Sequence, residues 1–128
     1  MRDKKLTVYL AGGHKSGWQN RVKQHFKGIC FLDPSTHNLK NPREYTAWDL
    51  ALIRRADIVF AYLELSNPSG YGMALEIGYA KALQKMIILV NEKTSYTDMI
   101  ESMCDVVYKN LENGITYLKQ LETHMDIS

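Results

Sequence analysis

The stretch "ADIVFAYLELSNPSGYGMALEIGYAKALQKMIILV", Ala56 to Val90, holds two apolar runs separated by one helical pattern. The runs at 56–65 and 86–90 are too continuous to alternate between core and solvent, so each reads as a strand buried on both faces. Between them, residues 71–84 place apolar side chains at steps of three and four, which is helical spacing. A strand, a crossover helix and a second strand imply a parallel pair. Working outward, "LTVYLA" (6–11), "GICFLD" (28–33) and "DVVY" (105–108) are further strands, and helical patterns fall at 18–27, 42–55 and 111–123. The expectation is an α/β chain: a single-domain, flavodoxin-like (Rossmann-like) parallel five-stranded sheet flanked by helices, formed by residues 1–128 as one domain. Such sheets bind ligands beyond the carboxyl ends of their strands. That edge gathers the loops after Ala11, Asp33, Leu65 and Val90.

Composition excludes several function classes. The 128 residues are 45% apolar and 23% charged, with a net charge of +2, too small a charge to argue for nucleic acid or an anionic membrane as partner. No apolar run approaches the roughly 20 residues of a membrane span. The basic opening "MRDKK" leads into a short apolar run that turns into glycines, and is read as the start of the first strand rather than a signal peptide. Cys30 and Cys104 lack metal or disulfide spacing, and the four histidines form no ligand cluster, so free thiols in a reducing cytoplasm and no metal or cofactor are expected.

The helix after the glycine loop carries a misplaced charge. At roughly 100° per residue, Lys81, Gln84 and Lys85 mark its solvent face, and Glu76 falls roughly 140° from it. An inward carboxylate requires a partner, hydrogen bonds or a proton. Glu76 also stands near the positive end of the helix dipole, beside glycines that admit a close approach. It is a candidate nucleophile or general base, or else a glutamate bonded to a neighbouring loop. Asp49 repeats the pattern. In "PREYTAWDLALIRRAD" it lies among the apolar positions Tyr45, Trp48, Leu52 and Ile53, and an ion pair or a helix cap is its structural alternative. The turn "AGGHKSGW" is neither GxGxxG nor a P-loop. Tyr9, Trp18 and Trp48 read as packing residues on pattern alone, and Asp57 as structural.

Three blocks give the chain its resemblance to a known family: "VYLAGGHKSGWQN", "WDLALIRRADIVFAYL" with Asp49 eight residues before Asp57, and "SGYGMALEIGYAKALQKMIILV". Together they resemble the nucleoside 2-deoxyribosyltransferases and their nucleotide N-glycosidase relatives, over about residues 6 to 107. The resemblance implies that Glu76 attacks the anomeric carbon of a deoxyribosyl group and that Tyr9 holds it in place. It implies that Asp49 exchanges a proton with the leaving and incoming base. Gly12, Gly13, His14, Trp48, Ser69, Gly70, Gly72, Met73 and Met99 would then bind substrate. A carboxylate nucleophile fits an oxocarbenium-like transition state, with covalent capture and overall retention.

Some positions depart from the family pattern. Gly70 stands where many transferases have an acid, Ser69 lies one residue from the serine of the monophosphate hydrolases, and His14 replaces an aromatic residue. In "SYTDMIESMCD", Met99 matches a methionine that relatives contribute across a subunit boundary, whereas Thr97 replaces an asparagine. The implied partners are a nucleoside or nucleotide, a free nucleobase and further copies of the chain, as a dimer or larger homo-oligomer sharing its sites. Transfer of the deoxyribosyl group to a second base is the leading expectation. Hydrolysis of a (deoxy)nucleoside 5′-monophosphate and a non-catalytic nucleotide-binding module are the alternatives.

Overall fold

The computed structural model describes residues 5–125. The basic residues 1–4 and the end of the expected 1–128 domain lie outside the described residues. The chain runs β1 (Thr7–Gly12), α1 (Trp18–Lys23), β2 (Cys30–Leu32), α2 (Pro42–Arg55), β3 (Ile58–Leu63), α3 (Tyr71–Ala82), β4 (Met86–Asn91), α4 (Asp98–Ser102), β5 (Val106–Tyr108) and α5 (Leu111–Met125). All neighbouring strands pair in parallel, in the order β2-β1-β3-β4-β5. This is the five-stranded, flavodoxin-like arrangement expected from the sequence.

The pleat splits the core into two layers. On one face Val8, Leu10, Phe60, Ile88 and Val90 meet Trp18 and Val22 of α1 and Leu111 and Leu118 of α5. On the other, Tyr9, Ala11, Val59, Ala61, Ile87 and Leu89 meet Ile53 of α2 and Met73, Ile77 and Ala80 of α3. Every residue of β3 is buried, which is why its sequence shows no alternation. Tyr9 shares the face of α2 and α3 because residues two apart on a strand point the same way.

Strand order reverses at β1, so the crevice between the carboxyl ends of β1 and β3 is the topological switch point. Gly12 closes β1 there with φ 153°, and a Cβ on it would come within 2.6 Å of the Tyr62 carbonyl oxygen. The start of α2 is fixed by Asn41, whose Oδ1 accepts the N–H groups of Arg43 (2.9 Å) and Glu44 (3.2 Å), with Pro42 in the first turn. Asp57 Oδ2 accepts the Thr7 N–H at 2.9 Å.

Three details differ from the sequence expectation. Helix α1 stops at Lys23, because His25 and Phe26 bond back to the carbonyls of Val22 and Lys23 in tight turns that drop Phe26 into the core. Two short elements carry no legible pattern: α4, and a 3-10 turn over Pro34–Thr36 started by Asp33. Trp48, read as a packing residue, is 52% exposed, whereas Trp18 is fully buried. The buried stripe of α2 runs through Asp49 and Ile53 instead. Both cysteines are free, and no helix among the described residues is long and apolar enough to cross a membrane.

Candidate active site

A cavity of about 680 Å³ opens at the carboxyl edge of the sheet, between the end of β1, the loop after β2, and helices α2 and α3. Of the residues singled out in the sequence, Gly12, His14, Asp49, Gly72, Met73 and Glu76 line it. Tyr9 lies beneath: fully buried, it donates its hydroxyl to Glu76 Oε2 at 2.8 Å. One carboxylate oxygen of Glu76 is thereby engaged. Among the described residues no hydrogen bond reaches the other, Oε1.

Three environments set the protonation of this group. Burial pushes the Glu76 carboxyl up; the Tyr9 hydrogen bond lowers it, the Asp49 charge raises it again, and the result is about 7. Desolvation thus outweighs the Tyr9 hydrogen bond at this carboxyl. Burial, then the Glu76 charge, holds the Tyr9 phenol well above its ordinary range, so it remains a donor. Burial also raises Asp49, against the opposing effects of His37 and His14.

His37 is the residue the sequence reading missed. Its Nε2 lies 3.0 Å from Asp49 Oδ1, and Trp48 meets its ring edge-on with centroids 6.3 Å apart. The available signal was position, since His37 stands in the loop after β2 at the ligand edge. Weighed only as a metal ligand, it looked isolated. The cavity wall is completed by apolar and aromatic groups, among them Leu39, Tyr45, Leu50, Leu75 and Tyr79. Arg54 Nη1 donates to the Tyr79 hydroxyl at 2.8 Å. No lysine or arginine is among the described residues lining the cavity.

Five expected substrate-binding positions lie off the cavity wall. The Gly13 carbonyl accepts Trp18 Nε1 (2.8 Å) and Gln19 Nε2 (2.9 Å). Trp48 stands beside His37, outside the lining. The N–H groups of Ser69 and Gly70 bond to Asn67 Oδ1 at 3.1 and 3.0 Å, and Gly70 starts α3 in the left-handed region, φ 74°. Met99, on α4, is 79% exposed. Thr97 is buried and accepts Asn91 Nδ2 at 3.0 Å, tying α4 to the end of β4.

The arrangement is a carboxylate with one pinned and one open oxygen, a second carboxyl whose pKa burial raises, and an apolar wall. It can stabilise a developing cation and deliver a proton beside it. Known proteins give that chemistry a context. The family model for nucleoside 2-deoxyribosyltransferase matches residues 8–117. Among solved structures, a 2-deoxyribosyltransferase from Bacillus psychrosaccharolyticus superposes with a TM-score of 0.73 at 20% identity, over 87% of this chain and 91% of its own. One from Leishmania mexicana gives 0.70 at 21%, over 93% and 98%. The CMP N-glycosidase of Clostridium botulinum gives 0.63 at 23%, over 89% and 98%. At such identities these likenesses speak for the fold. No curated protein sequence matches. With a family model covering most of its length, the chain belongs to the nucleoside 2-deoxyribosyltransferase family, enzymes that act on N-glycosidic bonds.

Proposed function

We propose that this enzyme cleaves the N-glycosidic bond of a 2′-deoxynucleoside and transfers the deoxyribosyl group to a second nucleobase. Glu76 is the nucleophile, Tyr9 its anchor and Asp49 the acid and base at the nucleobase. The observation that carries the reading is the 2.8 Å bond from Tyr9 to Glu76 Oε2 on the wall of the cavity that Asp49 also lines. With Oε2 held, Oε1 attacks the anomeric carbon as the base leaves, and a covalent glycosyl-enzyme forms. A second base reverses the step and configuration is retained overall. The apolar wall suits a base, and Gly12 and Gly72 leave room for the sugar.

Charge favours an unphosphorylated substrate. Among the described residues the cavity lacks lysine and arginine, and Asn67 already occupies the Ser69 and Gly70 amides that a 5′-phosphate would use. A further copy of the chain completes the site. Leu75 lines the cavity yet is 75% exposed, and Tyr71 and Met99 are exposed to a similar degree, an apolar surface that suits a like partner. Residues 1–128 act as one domain of this kind.

Incubation with thymidine, with and without adenine, followed by chromatography of bases and nucleosides, tests the reading. A deoxyadenosine peak is the expected result. Free thymine without exchange means hydrolysis, and turnover confined to 5′-monophosphates selects the nucleotide hydrolase. Absence of turnover on deoxynucleosides, their monophosphates and ribonucleotides leaves only a binding module.

A further inference from the structure

Asp49 has one oxygen engaged and one free. Oδ1 lies 3.0 Å from His37 Nε2, and among the described residues no hydrogen bond reaches Oδ2. The other nitrogen of the ring, Nδ1, accepts the Leu39 backbone N–H at 3.1 Å. A nitrogen that accepts an N–H bond carries no proton, so the hydrogen of the neutral imidazole sits on Nε2, aimed at Asp49. The local backbone enforces this. Asn38 has φ 58°, a left-handed conformation that asparagine tolerates better than most residues, and the turn it makes folds the Leu39 N–H back onto the ring. The side chains of His37 and Asp49 are each only 12% exposed, so water competes poorly for the bond.

We propose that His37 is a positioning residue: its Nε2–H holds Asp49 Oδ1 and so makes Oδ2 the oxygen that exchanges the proton with the nucleobase. This rests on Asp49 being the acid and base proposed above. In the cleavage step the Oδ2 proton passes to the base nitrogen while the glycosidic bond breaks and its electron pair stays on the base. Glu76 Oε1 bonds to the anomeric carbon, and Asp49 is left as a carboxylate. In the transfer step the same oxygen takes a proton from the incoming base. Tyr9 and His37 thus play matching parts, each pinning one carboxylate oxygen and leaving one to react. Without the His37 donor, the Asp49 carboxyl turns about its last torsion and divides the proton between two oxygens, one of them misdirected.

Leaving-group dependence tests this better than a pH profile, because Asp49 also interacts with His14 from the β1 loop and Glu76 from α3. The full-length enzyme is compared with its His37→Leu and His37→Gln variants on deoxyguanosine and on 7-methyl-2′-deoxyguanosine, whose cationic base departs without taking a proton. On deoxyguanosine, His37→Leu lowers kcat by about 10- to 100-fold, a part of what general acid catalysis supplies, with KM changed less than about threefold. On the methylated substrate the loss is below about threefold, because no proton is needed. His37→Gln, whose amide N–H can stand in for Nε2–H, recovers most of the loss. Nitrogen NMR of the wild-type enzyme at about pH 8 finds the His37 proton on Nε2.

Equal losses on both substrates, a loss confined to KM, or a proton on Nδ1 overturns the proposal. The NMR result and the glutamine variant decide it even where the leucine variant folds poorly. If the wild type cleaves neither these substrates nor thymidine, the assignment of Glu76 and Asp49 falls and this inference with it. If it cleaves both and the leucine variant matches it, His37 alone is wrong.

Discussion

The Tyr9 hydroxyl, projecting from the middle of β1, meets Glu76 Oε2 on α3 at 2.8 Å, across the face of the sheet that α2 and α3 cover. Burial alone would favour a neutral carboxyl at Glu76, and the Tyr9 bond is the force opposing it. The balance leaves Glu76 near 7, where a small change in surroundings shifts it between its protonated and ionised forms.

Activity in the free enzyme should follow that balance. On the proposed role of Glu76 its ionised form reacts, so kcat/KM is expected to rise with pH through an apparent value near 7. Tyr9→Phe removes a bond that lowers the Glu76 value, so this limb moves to higher pH. Asp49→Asn removes a charge that raises it, so the limb moves to lower pH. The profiles are measured with 7-methyl-2′-deoxyguanosine, which does not need the Asp49 proton. Unmoved limbs in both variants would assign the ionisation to another group.

Removing each carboxyl should separate their roles. Glu76→Ala is expected to lower base release and base exchange by on the order of 10³-fold or more, since it removes the proposed nucleophile. Asp49→Asn is expected to lower kcat by about 10²- to 10⁴-fold on ordinary bases, the range of general acid catalysis, and far less on the methylated base. Intact-protein mass spectrometry with a 2′-fluoro substrate, in which fluorine slows the second step, should show a glycosyl adduct in the wild type. The adduct should be absent from Glu76→Ala. An adduct that persists in that variant would place the nucleophile elsewhere.

What the sequence made legible follows from where each signal is physically strong. The runs "IVFAYL" and "MIILV" are buried on both faces, and only a covered parallel sheet permits that. The inward turn of Glu76 and Asp49 was legible because a charge inside an apolar stripe breaks the helical pattern. Trp48 misled because its place among the apolar positions of α2 was read as burial, although the buried line of the helix passes through its neighbour Asp49. Five-residue α4 has no buried residue and hence no period to detect. His37 gave no signal of its own kind, because its importance comes from a left-handed turn at Asn38 and a helix twelve residues on.

Placing Glu76 in the fold should have a thermodynamic signature. Its folded-state value lies above the ordinary 4.5, at about 7, so between these pH values the folded chain binds more protons than the unfolded one. Stability from this group is therefore fully present below about 4.5 and is lost as pH rises through about 7. The loss amounts to roughly 3 kcal/mol. Glu76→Gln cannot ionise and escapes it. Thermal unfolding should find the variant close to wild type near pH 5 and more stable near pH 8. A difference independent of pH would show that Glu76 is ionised at little cost.

Helix α5 approaches the sheet closely enough to make a prediction remote from the site. A Cβ on Gly114 would lie 2.5 Å from Val90 Cγ2 and 3.2 Å from Phe60 Cζ. Both neighbours are fully buried, so neither side chain can move into solvent. Gly114→Ala is expected to destabilise by about 1–3 kcal/mol through overpacking, with kcat unchanged in the fraction that stays folded. Urea unfolding at equilibrium measures it. A stabilised variant would mean that α5 lifts away from β4 at little cost.

The exposed apolar surface gives the last prediction. Tyr71 and Leu75 stand one turn apart on α3, at 78% and 75% exposure, and Leu75 also forms part of the cavity wall. Solvent on that surface would leave the base side of the cavity wet and weaken every charge interaction within it. In the proposed assembly a second copy packed there would remove the water and contribute to both sites. Light scattering should therefore find a dimer or larger assembly. Tyr71→Glu, which places a charge in the contact without touching Tyr9, Asp49 or Glu76, should shift the protein towards monomers and lower kcat/KM by on the order of tenfold or more. Raising the protein concentration should restore part of that loss, because assembly follows mass action. A fully active monomer at every concentration would show that one chain closes its own site.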